Sequence, residues 1–290
     1  MRVKSRKQQG GDLFVAFLCV LIILACLLPL LNILARSLSS PEALIRSQVF
    51  LWPVEGTLNA YKYVLSDPTY TWALLWTAML TVAGTCLSLF MTTICAYPLT
   101  FPKLKGRRII STLIIFTMYF SAGTIPTYLL LKDLTMLNKP IVLIVPYCLS
   151  VFYMIIMRSF LQNIPDSMRE SAEIDGAGPV RVLWRIYLPL STPVIATLAL
   201  FYAVGRWNGF SDALMFMNVR KYYPIQLLLY NLINAISSIE VATQEGFSTP
   251  GLGETVKAAT VMFATIPVLA IYPFLQRYFI AGVQLGAIKE

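Results

Sequence analysis

The chain has 290 residues, 57% of them hydrophobic and only 13% charged. A soluble domain carries about a quarter charged residues, so this composition excludes an ordinary soluble fold and points to a bilayer. The formal net charge is +9 with no histidine at all; that removes the commonest metal ligand and general base, and in a membrane protein the basic excess reads as topology rather than nucleic-acid binding.

Crossing the hydrocarbon core takes about 20 mostly apolar residues. Six runs qualify, at about 13–35, 72–97, 109–131, 141–159, 188–210 and 258–279. They predict an all-α integral membrane protein with six transmembrane helices, built as one transmembrane domain over 1–290. The first run is too long for a signal-peptide core and lacks a clear small-residue cleavage site, so it reads as a retained span. Pro29, Pro126, Pro146, Pro193 and Pro267 fall inside runs. They predict kinks, since neighbouring helices can satisfy the backbone groups that they free. Cys19, Cys26, Cys86, Cys95 and Cys148 all lie in runs, so no disulfide framework is expected.

The segment 36–71 after the first run carries weak helical signals and turn chemistry at Ser40-Pro41 and Asp67-Pro68. It reads as a lid on the outer face. The segment 164–189 is the charged exception in the chain. Pro165 and Asp166 suit a helix start, residues 166–175 make a short helix, and Gly176 and Gly178-Pro179 end it. A second short helix, 179–187, then leads through Arg181, Trp184, Arg185 and Tyr187 into the fifth run at Leu188-Pro189. The whole predicts an elbow lying on the membrane face.

This elbow carries a fixed spacing: Glu170-Ser171-Ala172, three residues, Gly176, nine residues, Ile186, one residue, Leu188-Pro189. It resembles the EAA signature of ABC-importer permeases, with Ser171 where that pattern has alanine. Ala96-Tyr97-Pro98-Leu99, the run Ile125–Leu130, Trp207-Asn208 and the stretch Tyr272–Phe279 add to a resemblance to carbohydrate-type, maltose-permease-like permeases of the oligosaccharide subset. The resemblance implies the type I importer permease fold, with a cytoplasmic coupling helix that docks on an ATPase. It implies coupling roles for Glu170, Ser171, Ala172, Asp175, Gly176, Ile186, Leu188 and Pro189. The partners it implies are a second, distinct permease chain, two ABC ATPases and an extracytoplasmic solute-binding protein, with membrane lipid around them and no nucleic acid.

Arg206 stands near the outer end of the fifth run. An arginine within a span is costly unless it snorkels or finds a partner. Asp212 is one candidate partner, provided the helix ends between the two. The alternative is a substrate path formed by Tyr202, Arg206, Trp207 and Asn208, with aromatic and amide groups for a sugar and the guanidinium for an acidic one. Farther on, Ile225, Leu228, Leu229, Leu232, Ile233 and Ile236 fall at helical spacing, an amphipathic helix too short to span. The Gly-rich stretch 243–253 reads either as a plain connector or as a contact for a binding protein through Gly246, Phe247, Ser248 and Pro250.

Basic residues number 14 on the side of the N-terminal tail, the second-to-third loop and the elbow, and 8 on the other. The asymmetry places both termini in the cytoplasm, here of a bacterial inner membrane. No G-x-x-x-x-G-K-[ST] loop occurs, so the chain binds no ATP by this route. No catalytic residue, metal ligand or bound cofactor is expected; ATP and Mg belong to the partner ATPase. The leading reading is therefore a permease subunit of an ATP-driven sugar importer, not an enzyme. The alternatives are an importer permease for a non-sugar solute, or a gradient-driven secondary transporter, which the lack of central ionisable residues disfavours.

Overall fold

A computed structural model describes residues 6–243 and 252–287. Gly246, Phe247, Ser248 and Pro250 lie outside the described residues, as do the side chains of Tyr272–Phe279. Among the described residues there is no strand. They fall into two compact units, one on Met1–Thr71 with Leu229–Ile266 and one on Trp72–Leu228 with Pro267–Glu290.

In the first unit α1 (Arg6–Ser37) carries Pro29 without ending there. Every residue from Phe14 to Leu31 is exposed. An apolar surface of that length is stable only against hydrocarbon or another apolar face. The lid segment forms two short helices. Ser40 caps α2 (Pro41–Ile45) by accepting the Ala43 N–H at 3.1 Å. Alanines then let helices approach closely: Ala60 and Val64 of α3 (Asn59–Ser66) bury against Val256 and Ala259 of α14 (Leu252–Ala287). Glu254 pairs with Arg36 at 3.1 Å and Lys257 at 3.3 Å. Asp67 opens α4 (Pro68–Ala96) by accepting the Thr69 N–H at 2.8 Å.

The second unit departs from a row of straight spans. Phe14–Ser37 and Pro68–Thr100 are the described helices long and apolar enough to cross a membrane alone, and two bent pairs raise the number to four if each pair is one span. The run 109–131 is α5 (Arg107–Tyr119) and α6 (Thr124–Asp133), bent by 113°. The break falls at Phe120–Gly123, where Gly123 has φ +88°, a conformation that glycine adopts without a Cβ penalty. Pro126 lies in the first turn of α6, where its missing N–H costs little. The run 141–159 is helical only from Val151: a tight turn at Pro140–Leu143 precedes an irregular stretch, and α7 (Val151–Leu161) supplies only 11 residues. In the fifth run the corner lies at Ser191 rather than at Leu188-Pro189. There Pro179–Leu190 and α11 (Thr192–Asn208) meet at 81°. α12 (Ser211–Phe216) and α13 (Ile225–Thr243) follow, and α13 buries Ile225, Leu227 and Leu228. The core beneath the elbow joins Ala96, Tyr97 and Leu99 to Met154, Met157 and Leu161 of α7 and to Val194 and Leu198 of α11.

Candidate functional site

The elbow is built from local signals. α8 (Asp166–Ile174) ends on Asp175, with Gly176 at φ +79°. The Gly176 N–H donates to Glu173 O at 3.0 Å and the Ala177 N–H to Ala172 O at 2.9 Å. This double closure is a Schellman motif, which needs a left-handed residue at the glycine position. Nothing lies within 4 Å of a Cβ placed there, so backbone conformation alone demands glycine.

Arg169 organises α8. Its side chain is 16% exposed, and its guanidinium reaches Asp166 and Glu173 at 3.1 Å each, with Glu170 at 3.9 Å. It stands 5.4 Å from the Phe101 ring centre and also donates to the Tyr187 hydroxyl. Burial pushes the Tyr187 phenol up while Arg169 pulls it down. Tyr97, at the end of α4, donates to Pro179 O at 3.1 Å and meets Phe101 and Tyr187 edge-on, with ring centres 4.9 and 5.2 Å away. The elbow is therefore fastened to the end of a long apolar helix through arginine and aromatic contacts.

The second arm is α9 (Pro179–Val182), a wide π-helical turn at Leu183–Tyr187 and α10 (Leu188–Leu190). Pro189 has no N–H with which to continue an α register, and the wide turn comes just before it. Val182, Leu183 and Tyr187 are buried, Ala172, Ile186 and Leu188 pack against the same core, and Ser171 donates to Ser167 O at 2.9 Å. Glu170, Glu173, Asp175 and Pro189 remain exposed. So do the apolar side chains of Met168 at 45%, Ile174 at 87%, Val180 at 70% and Trp184 at 56%. An exposed apolar set rimmed by carboxylates is the composition of a docking face.

The residues proposed for a substrate path are divided differently. Tyr202 is buried, shares a 2.7 Å hydrogen bond with Thr92 and accepts the Ser150 N–H at 3.1 Å. One turn on, Arg206 donates to Leu143 O, to Ile144 O at 3.1 Å and to Tyr147 O at 2.7 Å. α11 ends at Asn208 and α12 begins at Ser211, so Asp212 turns back to face Arg206 and accepts from the Tyr147 hydroxyl. Burial pushes the Asp212 carboxyl up, while Arg206 and Tyr147 pull it down. The Arg206 side chain also fills the space above Gly84, where an added Cβ would lie 3.2 Å from its Nε. A cavity of about 60 Å³ adjoins it, room for ordered water but not for a sugar ring. Trp207 is buried and Asn208 exposed. The polar groups of Tyr202 and Arg206 are thus engaged by the fold, and they serve the non-helical stretch 144–150.

Arg169 was not singled out as a site residue by its sequence. Its signal was there, in Asp166 three residues before and Glu173 four residues after, a helical spacing for ion pairs. Among the described residues no group of three His, Cys, Asp or Glu side chains could hold a metal, and all five cysteines are free.

Residues 68–285 match the family described as "Binding-protein-dependent transport system inner membrane component". Protein LplC of Bacillus subtilis (strain 168) is 42% identical over 91% of this chain and 89% of its own length. The polygalacturonan/rhamnogalacturonan transport system permease protein YtcP of the same organism is 38% identical over 98% and 99%. A chain from the crystal structure of a bacterial ABC transporter involved in the import of the acidic polysaccharide alginate superimposes with a TM-score of 0.86. It is 32% identical, over 96% of this chain and 100% of that one.

Proposed function

We propose a mechanism from the premise that the chain belongs to the binding-protein-dependent transport system inner membrane components. It is a permease subunit of an ABC importer, a transport component of the inner membrane and not an enzyme. Its substrate is an oligosaccharide handed over by an extracytoplasmic binding protein. That substrate class is supported by the relative at 38% identity, whose name states polygalacturonan and rhamnogalacturonan, and by the alginate importer chain at 32%.

In this mechanism the chain crosses the membrane six times with both termini in the cytoplasm. The elbow 164–189 docks on one of two ATPase subunits, which bind and hydrolyse ATP with Mg, while a distinct second permease presents the other elbow. The observation that carries this reading is the elbow itself. It exposes Ile174, Val180 and Trp184 beside Glu170, Glu173 and Asp175, and its other face is tied to the end of α4 through Tyr97. An ATPase that moves the exposed face moves a span. Arg206 acts as structural support, so a preference for acidic sugars, where present, comes from other groups.

The test is uptake of labelled oligosaccharide into proteoliposomes that hold the full assembly, binding protein outside and ATP inside. Glu170→Lys and Ile174→Asp are expected to lower ATP-driven uptake tenfold or more, the scale of a lost interface anchor, while the variants still insert and assemble. Normal uptake in both would sink the coupling assignment.

A further inference from the structure

A second concavity, in the unit that holds Trp72–Leu228, is basic. A cleft of about 730 Å³ opens at the start of α5, lined by Gly106, Arg107, Arg108, Ser111, Ile115 and Arg158 among others. Three guanidiniums line it and no carboxylate does. Arg107 and Arg158 stand close enough to repel one another. Arg158 Nη1 donates to Ser111 Oγ at 3.1 Å, whereas its buried Nε–H has no acceptor. Three guanidiniums with no carboxylate among them favour an anion, which relieves the repulsion across the cleft. The wall is the first turn of α5, whose N-cap Gly106 provides no side-chain acceptor, leaving the positive end of that helix unneutralised. Farther along, α5 buries no residue. Its exposed Ile109, Leu113 and Phe116 fall at i, i+4 and i+7, an apolar stripe that begins at the cleft.

We propose that this cleft holds the phosphodiester headgroup of an anionic phospholipid, with its acyl chains laid along the α5 stripe. The guanidiniums select an anion, and the stripe selects one that carries hydrocarbon. Pro102 and Arg107 also line a cavity of about 190 Å³ that Asp166, Arg169 and Tyr187 of the elbow close from its other side. The headgroup therefore lies at the elbow's end of the molecule, against the segment proposed to couple to the ATPase. Lipid retention is read independently of whether that coupling holds.

The experiment is native mass spectrometry of the purified, assembled transporter, titrated with dioleoylphosphatidylglycerol or dioleoylphosphatidylcholine. The wild-type assembly is expected to retain the anionic lipid more strongly. Arg108→Gln and Arg158→Gln should each weaken that retention about fivefold, the contribution of one basic residue beside an anionic lipid. Arg108 is exposed, so its substitution keeps the test valid where Arg158→Gln disturbs folding. Arg158→Lys should recover part of the loss, and Arg220→Gln, outside the cleft, should change nothing. Inorganic phosphate in large excess should leave the lipid bound. Equal retention of the two lipids, undiminished phosphatidylglycerol in the Arg108→Gln variant, or full displacement by phosphate overturns the proposal.

Discussion

Arg169 in the elbow and Arg206 in the broken-span region use the same side chain for opposite ends. Arg169 gathers carboxylates of its own helix that are themselves 47–68% exposed, so its work is to shape a surface. Arg206 gathers backbone carbonyls freed where the run 141–159 is not helical, so its work is to make irregular backbone tolerable inside a membrane protein. The difference teaches that an unusual charge within a span is first to be tested against the backbone around it. Only donors left over can meet a substrate, and three of the five Arg206 N–H donors already have backbone acceptors.

The comparison breaks most sharply at Arg206. Arg206→Leu leaves three carbonyls without their donor and Asp212 without the cation it faces, and a hydrogen bond to a charged group contributes about 1.5–3 kcal/mol. The expected outcome is loss of folded assembly in detergent, followed by thermal melting, with Arg206→Lys intermediate. Uptake by surviving protein should fall equally for acidic and neutral oligosaccharides; a selective loss of the acidic one would return Arg206 to the substrate path.

The next effect is at Gly176. With open space but φ +79°, Gly176→Val should cost about 1–2 kcal/mol of local stability, and Gly176→Asn less, because asparagine tolerates the left-handed region. Protease nicking of the elbow in the assembled transporter would report the order; equal nicking of both variants would contradict it. Arg169→Gln should cost about 1 kcal/mol or less in stability, since its carboxylate partners are solvated, yet lower substrate-stimulated ATPase severalfold by loosening the docking surface. A stability loss without an ATPase loss would make Arg169 a fold residue like Arg206.

The smallest effect concerns Asp212. Its carboxyl is raised above the ordinary value, chiefly by burial. A raised carboxyl favours the folded state below the unfolded value and withdraws that support as pH climbs through the folded one. Melting temperature should therefore decline slightly as pH rises above about 4, and Asp212→Asn should flatten that decline. An identical slope in the variant would assign the titration elsewhere.

The elbow was legible because its determinants are local. Pro165, Asp166, Gly176 and Gly178-Pro179 lie within one short stretch, and each acts on its own backbone. The breaks in the third and fourth runs were not legible from hydropathy, because Phe120–Gly123 and residues 144–150 are as apolar as the helices beside them. Glycine and proline marked both places, yet Pro126 attracted the kink that Gly123 makes. The role of Arg206 was hidden for another reason: its acceptors lie 59–63 residues away in sequence, beyond any periodicity. For Asp212 to face it, the helix had to end between them, and α11 does end at Asn208.

The coupling account is tested most directly by cross-linking at Ile174, the most exposed apolar side chain of the elbow at 87%. In an assembly whose native cysteines are replaced and which still imports substrate, Ile174→Cys is joined by a short bismaleimide to single cysteines placed on the ATPase surface. The account predicts an adduct between this chain and the ATPase, formed to a different extent with and without ATP. An assembly that transports normally and gives no such adduct, whichever ATPase surface carries the second cysteine, would contradict it.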